Sequence, residues 1–411
     1  MNKILSIKKN YYQSTVNKDI FYMQKAIKLA KKGILTTSPN PNVGCVIVNK
    51  NTIVGSGWHK KTGMHHAEIH AIKKAGIKAQ GATAYITLEP CSHFGKTPPC
   101  CIALTTCGIY KVVIATLDPN PKVSGKGIQW LKKNGVLVKV GILLKESIQI
   151  NQGFFQRMKT GKPWIQLKLA SSLDGRTALQ NGKSKWITST EARKDVQYLR
   201  KKTDAIISSS STILADNPLL TIRNTNKNIK TKKLSTSKIE KKNENYYKQP
   251  IRVIIDSKNR VLPLHKCIQQ PGKILLIRLI HDKKIWPKNV EQIILDKQNK
   301  KINLKKLIYI LGKKEINNIL IEAGPTLSSE FLKLNLINEL IIYIAPKLLG
   351  HCAYPLFFLK NYKILSHAPK FKFNEIIKIG TDLKLTLTQM HSHQENKYTY
   401  LNKNFNNKKT N

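Results

Sequence analysis

The sequence predicts two consecutive α/β domains. Its 411 residues suffice for two separately cored units. Short apolar runs alternate with helical patterns through the first 145 residues, and the alternation restarts at residue 164. Residues 146–163 are therefore assigned as the linker.

In the first domain, residues 19–145, Asp19 is placed to cap a helix running to about Lys32. Met23, Ala26, Ile27 and Ala30 share one face of it, and Gly33 ends it. Residues 43–49 form a short apolar strand and 52–55 its hairpin partner. Residues 65–74 read as a helix with Ile69 and Ile72 on the apolar side and Gly76 as the stop. A buried strand over 83–88 delivers Glu89-Pro90-Cys91 at its carboxyl end. The next helix opens near Pro99, whose fixed φ suits the first helical position. Strands over 111–116 and 136–140 flank a helix at about 127–133. Residues 1–18 precede this domain as a polar, basic extension. Their apolar run, residues 4–7, is too short for a signal-peptide core, and no later run approaches a membrane span.

The second domain, residues 164–392, opens with a strand over 164–169 and a turn at 172–175. Thr188 and Glu191 have capping-box spacing for a helix through Lys201. Strands follow over 204–208, 251–256, 273–277 and 318–322. Residues 224–249 are rich in Lys, Asn, Ser and Thr with scarcely any core formers, so they read as a disordered surface insertion. Residues 393–411 form a similarly polar tail.

The charge balance is 71 Lys plus Arg against 23 Asp plus Glu, a formal +48. The lysines are spread along the chain, mostly beside Asn and Ile, as codon bias toward A and T produces. Aromatic residues interleaved with them are scarce, which disfavours a single-strand nucleic-acid surface, and no specific nucleic acid is expected. A phosphorylated substrate would still gain from the positive field. The seven cysteines are unevenly spaced, four of them between Cys91 and Cys107. That clustering suits metal binding in a reducing, cytoplasmic compartment better than a disulfide framework.

The densest chemistry lies in His66-Ala67-Glu68, Glu89-Pro90-Cys91 and Pro98-Pro99-Cys100. One imidazole and two thiols fit a catalytic zinc site with an open fourth position. The ligands are then His66, Cys91 and Cys100, with both cysteines near helix starts, where the dipole favours thiolate. Glu68, two residues after the histidine, fits the non-ligand glutamate of zinc nucleobase deaminases, which shuttles protons. His65, His70 and His93 are bystanders on this reading. Nucleic-acid deaminases carry Pro-Cys-x-x-Cys, whereas eight residues separate the two cysteines here, which argues against RNA or DNA as substrate.

Longer segments extend the pattern: SPNPNVG at 38–44, HHAE at 65–68, TLEPCSHFGKTPPC at 87–100 and DPNP at 118–121. KLASSLDGRTA at 168–178, SKWIT at 184–188, LADNPLLTIR at 214–223, EAGPTL at 322–327 and YIAPKLLG at 343–350 follow. From about residue 19 to 390 the chain resembles the bifunctional deaminase/reductases of riboflavin biosynthesis. The resemblance implies a cytidine-deaminase-like α/β/α domain followed by a dihydrofolate-reductase-like α/β domain, with one zinc ion and NADPH as cofactors. The first domain would remove the 2-amino group of 2,5-diamino-6-(5-phosphoribosylamino)pyrimidin-4(3H)-one. The second would reduce the ribosyl side chain to ribityl, giving 5-amino-6-(5-phosphoribitylamino)uracil. No G-x-G-x-x-G follows a strand, which disfavours a Rossmann domain but allows another nucleotide-binding α/β type.

Carried over by position, the resemblance places Ala170, Trp186, Thr212, Asp216 and Ser257 against the dinucleotide. Gly324, Pro325, Thr326, Leu327, Ser328, Ser329 and Glu330 would cradle its phosphates at a helix start. Ser184, Arg200, Leu220, Arg223 and Glu322 would hold the reductase substrate, Arg200 and Arg223 gripping its phosphate. Asn40 is the candidate ring-edge contact in the deaminase. The family further suggests a homo-oligomer. The insertion at 224–249 leaves a second reading open, a deaminase whose reductase half is silent, and the charge keeps a third, an RNA-binding protein or tRNA deaminase.

Overall fold

The computed structural model describes residues 2–92, 94, 98–121, 123–223, 248–298 and 301–390, with side chains from Val16 onward. His93, most of the 224–249 insertion and the tail beyond residue 392 lie outside the described residues.

The first half runs α1 (Asn2–Ala30), β1 (Gly44–Asn49), β2 (Thr52–Trp58), α2 (Ala67–Ala75), β3 (Thr83–Ile86), α3 (Cys100–Thr106), β4 (Lys111–Ile114), α4 (Lys126–Lys133) and β5 (Leu137–Val140). Its five strands form one sheet in the order β2-β1-β3-β4-β5, with β1 antiparallel to both neighbours and β3, β4 and β5 parallel. Cys45, Ile47, Ala84, Ile86, Val112 and Ile114 face the α2–α3 side of this sheet, while Val46, Val48, Tyr85 and Val113 face α1. Period-two alternation between two covered faces is why these strands read as continuous apolar runs.

Asp19 does not cap α1, which continues through it. The carboxylate is buried (1% exposed) and accepts from Tyr85 Oη at 3.0 Å and Lys139 Nζ at 2.7 Å. It anchors the helix to the sheet from a position whose local signal resembled a start.

The assigned linker is helical: α5 (Leu144–Gln149) and α6 (Gln152–Thr160) occupy most of it. Phe154 and Phe155 of α6 pack with Leu88, so the segment is part of the junction between the halves.

The second half continues with β6 (Trp164–Ser172), β7 (Arg176–Ala178), α7 (Thr190–Lys201), β8 (Ala205–Ser209), α8 (Ser210–Asp216), β9 (Ile251–Ile255), α9 (Lys266–Gln269), β10 (Ile274–Arg278) and β11 (Val290–Ile294). Then come the short pair β12 (Lys297–Gln298) and β13 (Lys301–Ile302), α10 (Leu304–Lys313), β14 (Asn318–Ile321), α11 (Pro325–Lys333), β15 (Glu339–Ala345), β16 (Tyr354–Pro355), β17 (Lys370–Ile379) and β18 (Asp382–Met390). A nine-stranded sheet in the order β11-β10-β9-β8-β14-β6-β15-β18-β17 is its frame. Pairings from β11 to β15 are parallel, and β18 and β17 close one edge antiparallel. Non-consecutive neighbours such as β8 and β14 require crossovers, which α7, α8, α10 and α11 help to supply. Ser189, one residue after the expected Thr188, caps α7: its side chain accepts from the Ala192 amide at 3.2 Å.

Candidate active sites

The first site is assembled where α2, the end of β3 and the start of α3 converge. Alanines 67, 71 and 75 form the small-residue face of α2, and Gly55 and Gly57 of β2 let it lie close. A Cβ at Gly57 would stand 2.4 Å from the Ala67 carbonyl oxygen. Gly76, at φ +56°, ends the helix as the sequence suggests.

His66 occupies the N-cap position of α2 in extended conformation, and Glu68 falls in the first turn. Cys91 follows β3 in a loop and Cys100 is the first residue of α3. The expectation that both cysteines sit near helix starts thus holds along the chain only for Cys100. Cys91 reaches the same helix end through space, because the Cys100 amide donates to its sulfur at 3.3 Å.

His66 Nδ1 lies 3.2 Å from Cys100 Sγ and 3.5 Å from Cys91 Sγ, and one ligand atom of each of the three residues lies within 4.8 Å of the others. The Cys91 thiol is lowered to about 4, chiefly by the Cys100 side chain and then, against burial, by His66. His66 is raised to about 9, first by its contact with Cys91. Cys100, held next to Cys91 and buried, is pushed well up. One nitrogen and two sulfurs converging on a point, and exchanging protons that a cation would replace, are a donor set that fits zinc.

Glu68 is 3% exposed, and its Oε2 has no hydrogen-bond partner among the described residues. Burial raises its carboxyl to about 7 despite the opposing pull of His66. A buried, unpartnered carboxylate oxygen beside a three-donor cluster is what a proton-shuttling residue requires.

Glu89 has a different task. Its two oxygens accept from the amides of Asp118, Gly125, Gly127 and Ile128 at 3.0–3.4 Å, tying the end of β3 to the start of α4.

Asn40 lies at the rim: its Nδ2 is 3.4 Å from His59 Nε2, and the His59 ring is 5.5 Å from the His66 ring. Sequence reasoning missed His59, a single histidine just beyond β2 with no motif around it. His65 and His70 are not members of the donor cluster, as expected; their rings are 5.9 Å apart.

The second site is a cavity of about 1560 Å³ along the carboxyl ends of the parallel strands. It is lined by Ala170, Ser184, Trp186, Arg200, Thr212, Asp216, Leu220, Arg223, Ser257 and Glu322. Of the expected 324–330 run, Gly324, Pro325, Thr326, Leu327 and Glu330 also line it. Ser328 and Ser329 do not line it. They are buried on the other side of α11, donating to the Ala323 and Pro325 carbonyls.

Gly324 is the N-cap of α11 with Pro325 next, and a Cβ built on Gly324 meets nothing within 4 Å. The helix start therefore opens onto free space on the Gly324 side, where the first-turn amides after Pro325, which have no partner within the helix, suit a dinucleotide phosphate. Lys258 and Arg260 line the same cavity, and Arg260 Nη2 donates to Ser210 Oγ at 2.9 Å.

Arg200 has a second task beside the expected one. Its guanidinium grips Glu322 through two hydrogen bonds and the Thr221 carbonyl through a third, which leaves two of its five N–H groups and a place in the cavity wall. Arg223 keeps an exposed side chain. Lys168, overlooked in the sequence, stands 3.5 Å from Glu322; strand alternation on β6 puts it on the cavity side with Ala170. Arg193 was also missed, and its guanidinium lies 4.7 Å from the Trp186 ring centroid.

Comparison with known proteins agrees with this division. The family model of the cytidine and deoxycytidylate deaminase zinc-binding region matches residues 16–116, and that of the RibD C-terminal domain matches 163–385. The riboflavin biosynthesis protein RibD of Buchnera aphidicola is 70% identical over 91% of this chain and 100% of its own length. The solved structure of Acinetobacter baumannii RibD superposes with a TM-score of 0.81 at 41% identity, covering 92% of this chain and all of that one. A diaminohydroxyphosphoribosylaminopyrimidine deaminase/5-amino-6-(5-phosphoribosylamino)uracil reductase from Thermotoga maritima does so at 0.79 and 30%, with the same coverage.

Proposed function

Because the chain belongs to the RibD family of riboflavin-biosynthesis enzymes, we propose that its two sites perform successive steps through the particular residues described here. The chain is a deaminase and a reductase, a zinc-binding hydrolase joined to an NADPH-dependent oxidoreductase.

In the deaminase, His66, Cys91 and Cys100 hold the zinc, which when bound supplies Lewis acidity that brings water within reach of ionisation near neutral pH. Glu68 takes the proton of the attacking water at its buried carboxylate and returns it to the departing amine, so ammonia leaves. Asn40 holds an edge of the pyrimidine. The observation that carries this reading is the unpartnered Glu68 Oε2 beside the three-donor cluster.

In the reductase, NADPH supplies the two electrons, and the protein's work is placement. Amides at the start of α11 receive dinucleotide phosphate, with Ala170, Trp186, Thr212, Asp216 and Ser257 along its length. Ser184, Arg200, Leu220 and Arg223 hold the substrate, the two arginines at its phosphate. Arg200 and Lys168 fix Glu322 in its ionised form for a substrate hydroxyl.

A homo-oligomer fits the outer sheet edge, where Phe373 and Ile376 of β17 are more than half exposed. A reducing, cytoplasmic setting fits seven free cysteines. Among the described residues no helix is long and apolar enough to cross a membrane.

The test is Glu68→Gln. Zinc-loaded variant should release no ammonia from the diaminopyrimidine phosphate, yet oxidise NADPH when given the deaminated intermediate. Retained ammonia release would remove Glu68 from the mechanism.

A further inference from the structure

The loop between α1 and β1 carries Asn40; one of its flanks is held by the junction segment and the other by the reductase half together with that segment. On the Asn42 side, the main-chain amide donates to Asn151 Oδ1 at 2.7 Å and Asn42 Nδ2 to the Ile150 carbonyl at 2.9 Å. Asn151 Nδ2 donates back to the Asn42 carbonyl at 2.9 Å. On the other side, the Pro39 carbonyl accepts from Asn317 Nδ2 at 2.9 Å and from Arg157 Nη2 at 3.4 Å.

Asn317 lies just before β14, inside the segment that matches the reductase family model. It is 3% exposed and held on every side. Arg157 Nε donates to its Oδ1 at 2.6 Å, and its own amide donates to Asp204 Oδ2 at 2.9 Å. Asp204, just before β8, also receives the Asn318 amide at 2.8 Å and a hydrogen bond from Ser38.

These residues stand at the amino ends of the parallel strands, whereas the reductase cavity is built at the carboxyl ends. Reductase chemistry gives no use for a mutually hydrogen-bonded Asn–Arg–Asp set there. A backbone carbonyl fixed by two donors, one residue before a side chain that reaches the zinc-cluster rim, has an evident use.

We propose that Asn317, with Arg157 and Asp204, is a positioning residue of the deaminase: the reductase half sets the 38–42 substrate loop and so the placement of Asn40. This rests on the deaminase reading above, with Asn40 as a substrate contact. It makes the deaminase depend on its neighbour for binding geometry rather than for chemistry.

The full-length, zinc-loaded protein tests it through the kinetics of ammonia release. Asn317→Ala should raise the KM for the diaminopyrimidine phosphate about ten-fold, the order expected for losing one buried hydrogen bond. The kcat, zinc content and NADPH-dependent reduction of the deaminated intermediate should stay at wild-type values. Arg157→Gln, at a half-buried position on α6, should raise KM in the same direction by a smaller factor and keeps the test available should Asn317→Ala fail to fold. Asn338→Ala is the control. It removes different contacts, the reciprocal amide pair with Gln156 and the acceptor of the Ile165 amide, without touching Pro39, and should leave KM unchanged.

Unchanged KM in both loop variants, or an equal rise in the Asn338 control, would overturn the inference while leaving the deaminase reading intact. A wild-type protein that releases no ammonia would overturn that reading and the inference with it.

Discussion

Arg200 holds Glu322 in a two-pronged grip: Nε donates to one carboxylate oxygen at 2.6 Å and Nη2 to the other at 3.0 Å. Burial alone would push the Glu322 carboxyl up. The charges of Arg200 and Lys168 outweigh it and hold the group down at about 2. Against an unfolded value near 4.3, the ionised form adds stability of about 3 kcal/mol. That contribution is present in full above about pH 4.3 and is lost as pH falls through about 2.

Glu322→Gln should therefore destabilise the reductase half by about 3 kcal/mol at neutral pH, leaving Arg200 buried without its counter-charge. Denaturant unfolding at several pH values checks this: the gap to wild type should narrow steadily between pH 4.5 and 2. A gap independent of pH would show that shape rather than charge is at stake.

Glu89→Gln should destabilise the deaminase half by about 2 kcal/mol, since an amide nitrogen would face backbone donors now satisfied by a carboxylate oxygen. Thermal unfolding of the zinc-loaded variant reads the loss. Reductase turnover on the deaminated intermediate should persist.

Gly57→Ala should move α2 outward, because the new Cβ would meet the Ala67 carbonyl oxygen at 2.4 Å. Overpacking of this kind costs about 1–3 kcal/mol. As His66 and Glu68 ride at the start of α2, zinc affinity should fall too, measured by competition with a chelator. Unaltered zinc affinity would mean the strand, not the helix, gives way.

Chelating the metal should abolish ammonia release and leave NADPH oxidation of the deaminated intermediate untouched. Cys100→Ser should reproduce the effect by removing one of the three donors. Loss of both activities would mean that the halves share more than a junction.

The zinc cluster was legible because local patterns report it: a strand end with Glu-Pro-Cys, a Pro-Pro-Cys opening α3, and His-x-Glu at the start of α2. Apolar periodicity gave the five strands of the first sheet and five of the nine in the second, with boundaries mostly within one to three residues. But β11, β15, β17 and β18, which include both edges of the second sheet, were not read from it. Long-range pairing was not legible either. Asp19 has the local appearance of a cap, and only the fold brings Tyr85 and Lys139 to it. Arg200 has the appearance of a phosphate ligand, and only the fold adds its grip on Glu322, 122 residues away. His59 and Asn317 carry no motif, and their partners are set by tertiary packing.

The most direct measurement follows ammonia and NADPH together in one preparation given the diaminopyrimidine phosphate. Ammonia should appear with or without NADPH, and NADPH oxidation should follow it in equal amount, disappearing in Glu68→Gln. NADPH oxidation that proceeds in Glu68→Gln from the undeaminated substrate, or ammonia release that never leads to oxidation, would contradict the two-site account.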